Sequence, residues 1–304
     1  MTQTSQAPRV AEIDDANEML PMPNVDGVAH RWVTARDGSR IHVAEAGGGS
    51  PLVFIHGWPQ HWYAWRAVIA PLAEHFRVIC PDVRGLGWSS AAGSDWSFHR
   101  LAADIVDVMD ALGVDRAGVV GHDWGSAIAY QLALSHARRV TRIMPLAGLH
   151  PWAVSGVHPR TLWRPWHVYT AAILGSRNNT WLQVPRVALR TWRLAGSFSP
   201  AEAEIYCGAM RQTHTIYATT QYYRNLLARE VPYYWRRARG IDLPLPVLHL
   251  NGANDPLTQR LSDAYRNHAP NMTLKNLPDC GHFIAEERPE ELVGHVTEFF
   301  APQE

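Results

Sequence analysis

Short apolar, β-branched runs alternate with amphipathic stretches through the first half of the chain. Ile41-His42-Val43-Ala44, Leu52-Val53-Phe54-Ile55, Arg77-Val78-Ile79-Cys80, Gly118-Val119-Val120 and Arg142-Ile143-Met144-Pro145-Leu146 have the length and composition of strands. Between them, Trp62 to Glu74, Phe98 to Leu112 and Ser126 to His136 place apolar residues at helical spacing. The alternation predicts an α/β fold with a mostly parallel twisted sheet and helices on both faces. From about Leu149 to Gly240 the pattern changes to Trp-, Tyr- and Arg-rich helical stretches, interrupted at Pro159, Pro165, Pro185 and Pro200. Strand-like sequence returns at Val247-Leu248-His249-Leu250 and Met272-Thr273-Leu274, and a closing helix is expected from Pro289 to Phe300. The simplest organisation is one core in two parts, residues 1–148 and 241–304, with a helical cap at 149–240. Such a cap would cover the carboxyl ends of the strands, where ligands of open α/β sheets bind.

Composition narrows the partners. Lysine plus arginine and aspartate plus glutamate number 28 each, with no long block of one sign, so neither nucleic acid nor an anionic membrane is expected to bind. A small uncharged partner fits better. The one lysine, Lys275, lies in a strand-like run, which disfavours Schiff-base chemistry. Cys80, Cys207 and Cys280 are too few and too scattered for a disulfide framework or a structural zinc site, and read as reduced thiols of a cytosolic protein. Residues 1 to 20 are polar and acidic, and no segment reaches about 18 apolar residues, so neither a signal peptide nor a membrane span is expected. A homo-oligomer is left open. His-Glu-x-x-His and a phosphate-binding Gly-rich loop are both absent from the sequence, so no metal or nucleotide cofactor is expected.

The candidate chemistry centres on Gly121-His122-Asp123-Trp124-Gly125, directly after the strand-like run Ala117 to Val120. Small residues two places either side of a central residue suit a strained strand-to-helix turn that presents a nucleophile. A carboxylate there changes the reaction. Serine attacking an sp3 carbon would leave an inert ether, whereas aspartate leaves an ester that water can cleave. Such a chain is suited to opening C–O or C–halogen bonds. Asp255, in Asn251-Gly252-Ala253-Asn254-Asp255-Pro256, and His282, in Asp279-Cys280-Gly281-His282-Phe283, each follow later strand-like runs. The order nucleophile, acid, base is that of the α/β-hydrolases. In this reading Asp123 attacks carbon, His282 activates water and Asp255 orients the imidazole. A tetrahedral oxyanion would need backbone donors, for which the amides of Trp58 and Trp124 are the candidates.

Four motifs together resemble the α/β-hydrolase-fold epoxide hydrolases: His56-Gly57-Trp58-Pro59 with Trp62-Tyr63-Ala64-Trp65-Arg66 behind it, Asp82-Val83-Arg84-Gly85-Leu86-Gly87-Trp88-Ser89, Gly121 to Gly125, and Gly281-His282-Phe283. The resemblance implies hydrolysis of a small apolar epoxide by water to a vicinal diol, without a cofactor. It also implies two cap residues that hydrogen-bond and protonate the departing oxygen. Tyr223, in Tyr222-Tyr223-Arg224-Asn225, matches the family's second tyrosine. At the other position Trp166-His167-Val168-Tyr169 departs from the common tyrosine, which favours His167 with Tyr169 as its substitute.

Blander readings compete at each position. Asp255 alone could be a turn residue, His282 a satisfied core histidine, and Tyr223 or Trp124 packing. Dehalogenation of a haloalkane by the same Asp123, with indole N–H groups of Trp124 and a cap tryptophan holding the halide, is the rival reaction. Trp58 stands where dehalogenases tend to carry a polar residue, which favours the epoxide. A non-catalytic fold that binds a small apolar ligand is a third possibility, and a serine esterase is disfavoured because Ser126 lies past the elbow.

Overall fold

The computed structural model describes residues 9–11, 21–90, 93–153, 166–174, 184–193, 197–258 and 263–301. Among them are nine strands: β1 (Arg9–Ala11), β2 (Ala29–Thr34), β3 (Arg40–Ala46), β4 (Ser50–Ile55), β5 (Phe76–Pro81), β6 (Ala117–His122), β7 (Val140–Leu146), β8 (Val247–Gly252) and β9 (Met272–Leu277). They form one sheet in the order β1-β2-β3-β5-β4-β6-β7-β8-β9. From β5 to β9 every pairing is parallel, as the alternating pattern predicts. The N-terminal edge differs, because β1, β2 and β3 run antiparallel to their neighbours. A connection as short as that between β2 and β3 can only join antiparallel strands. The sequence pattern missed β2 because Trp32 and Val33 alone are buried in it, so the strand shows no sustained alternation.

The α-helices are α1 (Arg66–Ala73), α2 (Phe98–Ala111) and α3 (Trp124–Ser135), then α4 (Trp166–Leu174), α5 (Val184–Thr191), α6 (Pro200–Ala209), α7 (Thr213–Asn225) and α8 (Val231–Arg237), then α9 (Ile284–Glu287) and α10 (Pro289–Phe300). Successive strand residues point to opposite faces, so each strand feeds two cores. Val53, Ile55, Val119 and Ile143 pack with Leu101, Ile105, Ile128 and Leu132 of α2 and α3. Phe54, Val120, Met144 and Leu250 pack with Trp65, Ile69, Leu292 and Val296 on the opposite side. The central strands β6 and β8 are buried at every position.

Helices α4 to α8 lie between β7 and β8. Val168, Ala171, Leu189, Trp192, Tyr206 and Tyr223 form a third cluster, which closes over Trp58 and Phe283. Pro185 and Pro200 sit in the first turns of α5 and α6, where a missing N–H costs nothing, and Ser199 with Glu202 makes a capping box for α6. Pro159 and Pro165 lie outside the described residues. A π-helical stretch at Leu226–Glu230 joins α7 to α8 and delivers Glu230 to the core, where it accepts from the Phe98 amide at 3.1 Å and Asn225 at 2.9 Å. π-Bulges of this kind re-aim side chains within an otherwise regular helix.

Between β6 and α3 the chain reverses at Asp123, with φ 52° and ψ −111°. The turn is tight enough that a Cβ at Gly121 would meet the Gly125 carbonyl, and a Cβ at Gly125 would run into the Ile55 carbonyl on β4. Backbone, unlike a flexible side chain, cannot yield. Gly125→Ala is therefore expected to lower the unfolding free energy in a urea melt by about 3 kcal/mol, the upper part of the usual overpacking range. An unchanged midpoint would show that the elbow has slack.

Candidate active site

Asp123 stands at the end of the central strand in the strained turn, with its side chain 20% exposed. Its Oδ1 accepts the Trp58 amide N–H at 3.0 Å, and the Trp124 amide also donates to the carboxylate. Its Oδ2 faces His282 Nε2 at 3.7 Å. The two oxygens have different surroundings: Oδ1 is held by the Trp58 amide and Oδ2 faces the imidazole. Burial tends to raise the pKa of Asp123, but His282, His122 and the Trp124 amide overcome it and hold the carboxyl below its ordinary value.

His282 follows β9 and is fully buried. Its Nδ1 lies 3.1 Å from Asp255 Oδ2. Asp255 follows β8, is equally buried, and has its remaining acceptor capacity filled by the Leu257 amide at 2.8 Å and the Thr258 hydroxyl. Burial works against a charged ring, yet the two flanking carboxylates prevail and push the His282 pKa up to about 10. The Asp255 carboxyl moves below its ordinary value for the reciprocal reason. Asp123, His282 and Asp255 thus come together although they are widely separated in the chain. A carboxylate that can reach carbon and an imidazole backed by a second carboxylate make a set able to form and then cleave an ester.

Tyr223 projects from α7 into the same place. Its ring lies edge-on to Trp58 at 5.9 Å and to Trp124 at 5.3 Å. Burial and the nearby Asp123 charge raise its pKa well above the ordinary phenol value, and the Trp124 indole N–H donates to its oxygen. Tyr223 is therefore a neutral O–H donor beside the carboxylate. Trp124 itself packs against Phe98 and Tyr222, so its side chain supports the tyrosine while its backbone serves Asp123. Tyr169 is half-buried on α4, which Arg224 of α7 ties down through the Ala172 carbonyl at 2.8 Å. His167 falls on α4, but its side chain lies outside the described residues.

Several supporting residues have no separate signal in the sequence. His122 donates through Nε2 to the His282 carbonyl at 2.8 Å, and burial beside His282 lowers its pKa to about 4, so its ring is neutral. From the opposite side the His282 amide donates to the Trp192 carbonyl at 2.9 Å, with the Trp192 ring 5.5 Å from the imidazole. Glu287 accepts the amides of Gly281 at 2.6 Å and Phe283 at 3.1 Å, framing the same loop. His56 fixes the loop that carries Trp58: its Nε2 accepts the Val83 amide at 2.8 Å, and its Nδ1 lies 3.0 Å from the Gly57 carbonyl. Asp82 accepts the Trp62 amide at 2.7 Å and the Trp88 amide at 3.0 Å and pairs with His42 at 2.8 Å. Burial alone would raise its pKa, but the surrounding histidines pull it down to about 2. The motif residues Asp82 to Ser89 thus act as scaffold, a role that motif likeness does not disclose.

The α/β hydrolase fold family matches residues 50–289. The soluble epoxide hydrolase of Corynebacterium sp. (strain C12) is 31% identical over 278 residues, which span 88% of this chain and 95% of that protein. This chain belongs to the α/β-hydrolase-fold epoxide hydrolases. Among solved structures, epoxide hydrolase CorEH without ligand superposes with a TM-score of 0.79 at 29% identity, covering 90% of this chain and 99% of its own. An epoxide hydrolase from Vigna radiata superposes with a TM-score of 0.77 at 25% identity, covering 91% and 99%. Among the described residues, no helix of this epoxide hydrolase is long and apolar enough to cross a membrane.

The charge state of His282 is open to measurement. Its folded pKa lies above the roughly 6.5 of an unfolded histidine, so the stabilisation it supplies is complete below about pH 6.5 and is lost as pH rises toward about 10. In an NMR titration the His282 ring should stay protonated through pH 8, and Asp123→Asn should lower its midpoint. A wild-type midpoint near 6.5 would contradict the two-carboxylate account.

Proposed function

We propose that the enzyme hydrolyses an epoxide to a vicinal diol through an alkyl ester on Asp123. The observation that carries this reading is the division of labour at that carboxylate, with Oδ1 on the Trp58 amide and Oδ2 facing the imidazole. Oδ2 attacks an epoxide carbon, and the C–O bond breaks toward an oxygen that Tyr223 hydrogen-bonds and protonates. His167 is the second donor on the cap side, with Tyr169 as its substitute. The proton lost by the phenol is replaced from His282, which leaves that ring neutral.

Esterification makes this transfer favourable, because it removes one of the two charges that hold the proton on His282. The neutral ring then takes a proton from water, and the resulting hydroxide adds to the ester carbonyl. Asp255 stabilises the imidazolium, and the Trp58 and Trp124 amides hold the oxyanion. Collapse expels the diol alkoxide, which takes the proton of the newly formed Asp123 carboxylic acid. Carboxylate and imidazolium are thereby restored. Water and the named side chains account for every proton, so the scheme requires no cofactor.

The cap assignment of residues 149–240 belongs to the same proposal, since Tyr223 comes from that segment. Two further observations bear on the rival reaction and on the setting. The Trp124 indole, one of the donors that halide binding would need, is engaged with Tyr223. The three cysteines are buried and unpaired, in keeping with a cytosolic setting. The reading is tested by a single turnover in 18O-labelled water with styrene oxide. The first diol should carry unlabelled oxygen drawn from Asp123, and label should enter the product only in later turnovers. Label in the first diol would mean that water attacks the epoxide directly.

A further inference from the structure

Between core and cap lies a buried polar cluster that the mechanism above does not use. Glu286, on α9 four residues past His282, has a side chain only 1% exposed. Its Oε2 pairs with Arg66 at 2.6 Å, and its Oε1 accepts from Gln60 at 3.1 Å and from the Tyr206 hydroxyl. Arg66 reaches on to Glu202 at 2.7 Å and to the Tyr206 oxygen at 3.2 Å. Arg66 and Gln60 belong to the first part of the core, Tyr206 and Glu202 to cap helix α6, and Glu286 to the second part. Burying such a charge is unfavourable unless it is paired, and here one carboxylate oxygen accepts two hydrogen bonds while the other faces the Arg66 guanidinium.

What the cluster joins is specific. Gln60 lies two residues past Trp58, on the loop whose amide holds Asp123, and its own amide donates to Gly57 at 3.0 Å. Glu286 lies on the short helix α9 that follows the loop of His282, whose amide is anchored on the cap at the Trp192 carbonyl. The Trp58 amide as oxyanion donor and His282 as base both serve cleavage of the ester. Ester formation draws mainly on Asp123, whose position is set by its elbow with the Trp58 amide as one added contact, and on Tyr223.

We propose that Glu286 is a positioning residue for the second half-reaction, holding the Trp58 loop and the His282 loop in register with the docked cap through Gln60, Arg66 and Tyr206. This rests on the ester reading of Asp123. The test is rapid-quench measurement of ester formation and ester decay on styrene oxide in the wild type, in Glu286→Gln and in Tyr206→Phe. Misplacing reacting groups by about 1 Å costs on the order of 100-fold, so ester decay should slow by about 10- to 100-fold in Glu286→Gln while ester formation stays near the wild-type rate. Tyr206→Phe, which keeps the ring packing and removes one bond to Glu286, should shift the same ratio less, and serves alone where Glu286→Gln does not fold. Equal slowing of both rates, or no change in either, would overturn the proposal and reduce the cluster to a stabilising contact. A wild type that accumulates no ester at all would instead overturn the reading beneath it.

Discussion

Burying the His282 imidazole between the carboxylates of Asp123 and Asp255 is the constraint to which most of the surrounding structure answers. Three ionisable groups removed from water would be strongly unfavourable if any were left unpaired. The chain meets this by giving Asp255 an amide, a hydroxyl and the ring, and by giving Asp123 two backbone amides. What remains unmatched is the Nε2 to Oδ2 separation of 3.7 Å, longer than a hydrogen bond. The mismatch leaves one carboxylate oxygen of Asp123 without a hydrogen bond from the ring, and in the mechanism proposed above that oxygen is the nucleophile.

Delivering these groups is the work of the sheet. Strands β4, β6, β8 and β9 end on one side, and the loops after them carry Trp58, Asp123, Asp255 and His282 respectively. The loops are held by residues one layer further out: His56 and Asp82 beneath Trp58, His122 and Glu287 around His282. The segment between β7 and β8 also reaches the site directly, since the Trp192 carbonyl accepts from the amide of His282.

Elements with a strong local signal were legible in the sequence. The buried runs of β4 and β6 are mostly apolar, that of β8 is broken only by His249 before its polar end, and the elbow spacing from Gly121 to Gly125 has a steric cause that any chain must respect. The antiparallel β1 and β2 escaped because one lies in a polar stretch and the other buries little. Trp192 was visible as one of many cap tryptophans, but its contribution is a backbone carbonyl, which has no residue-type signature. Arg66 closes one of the matched motifs, whereas Glu286 and Tyr206 carry no sequence signal of their own, and what the three do together arises only where three separate segments meet. Asp123, Asp255, His282 and Tyr223 are brought together, whereas the His167 side chain lies outside the described residues.

The central claim is that the carboxylate at the elbow becomes covalently bonded to substrate carbon before water acts. The most direct test is peptide-resolved mass spectrometry of a His282→Gln variant exposed to styrene oxide, because removing the base should strand the enzyme at the ester. The account predicts a stoichiometric adduct of epoxide mass on the peptide that contains Asp123, absent when Asp123 is also replaced. An unmodified Asp123 peptide, or an adduct on any other side chain, would contradict it.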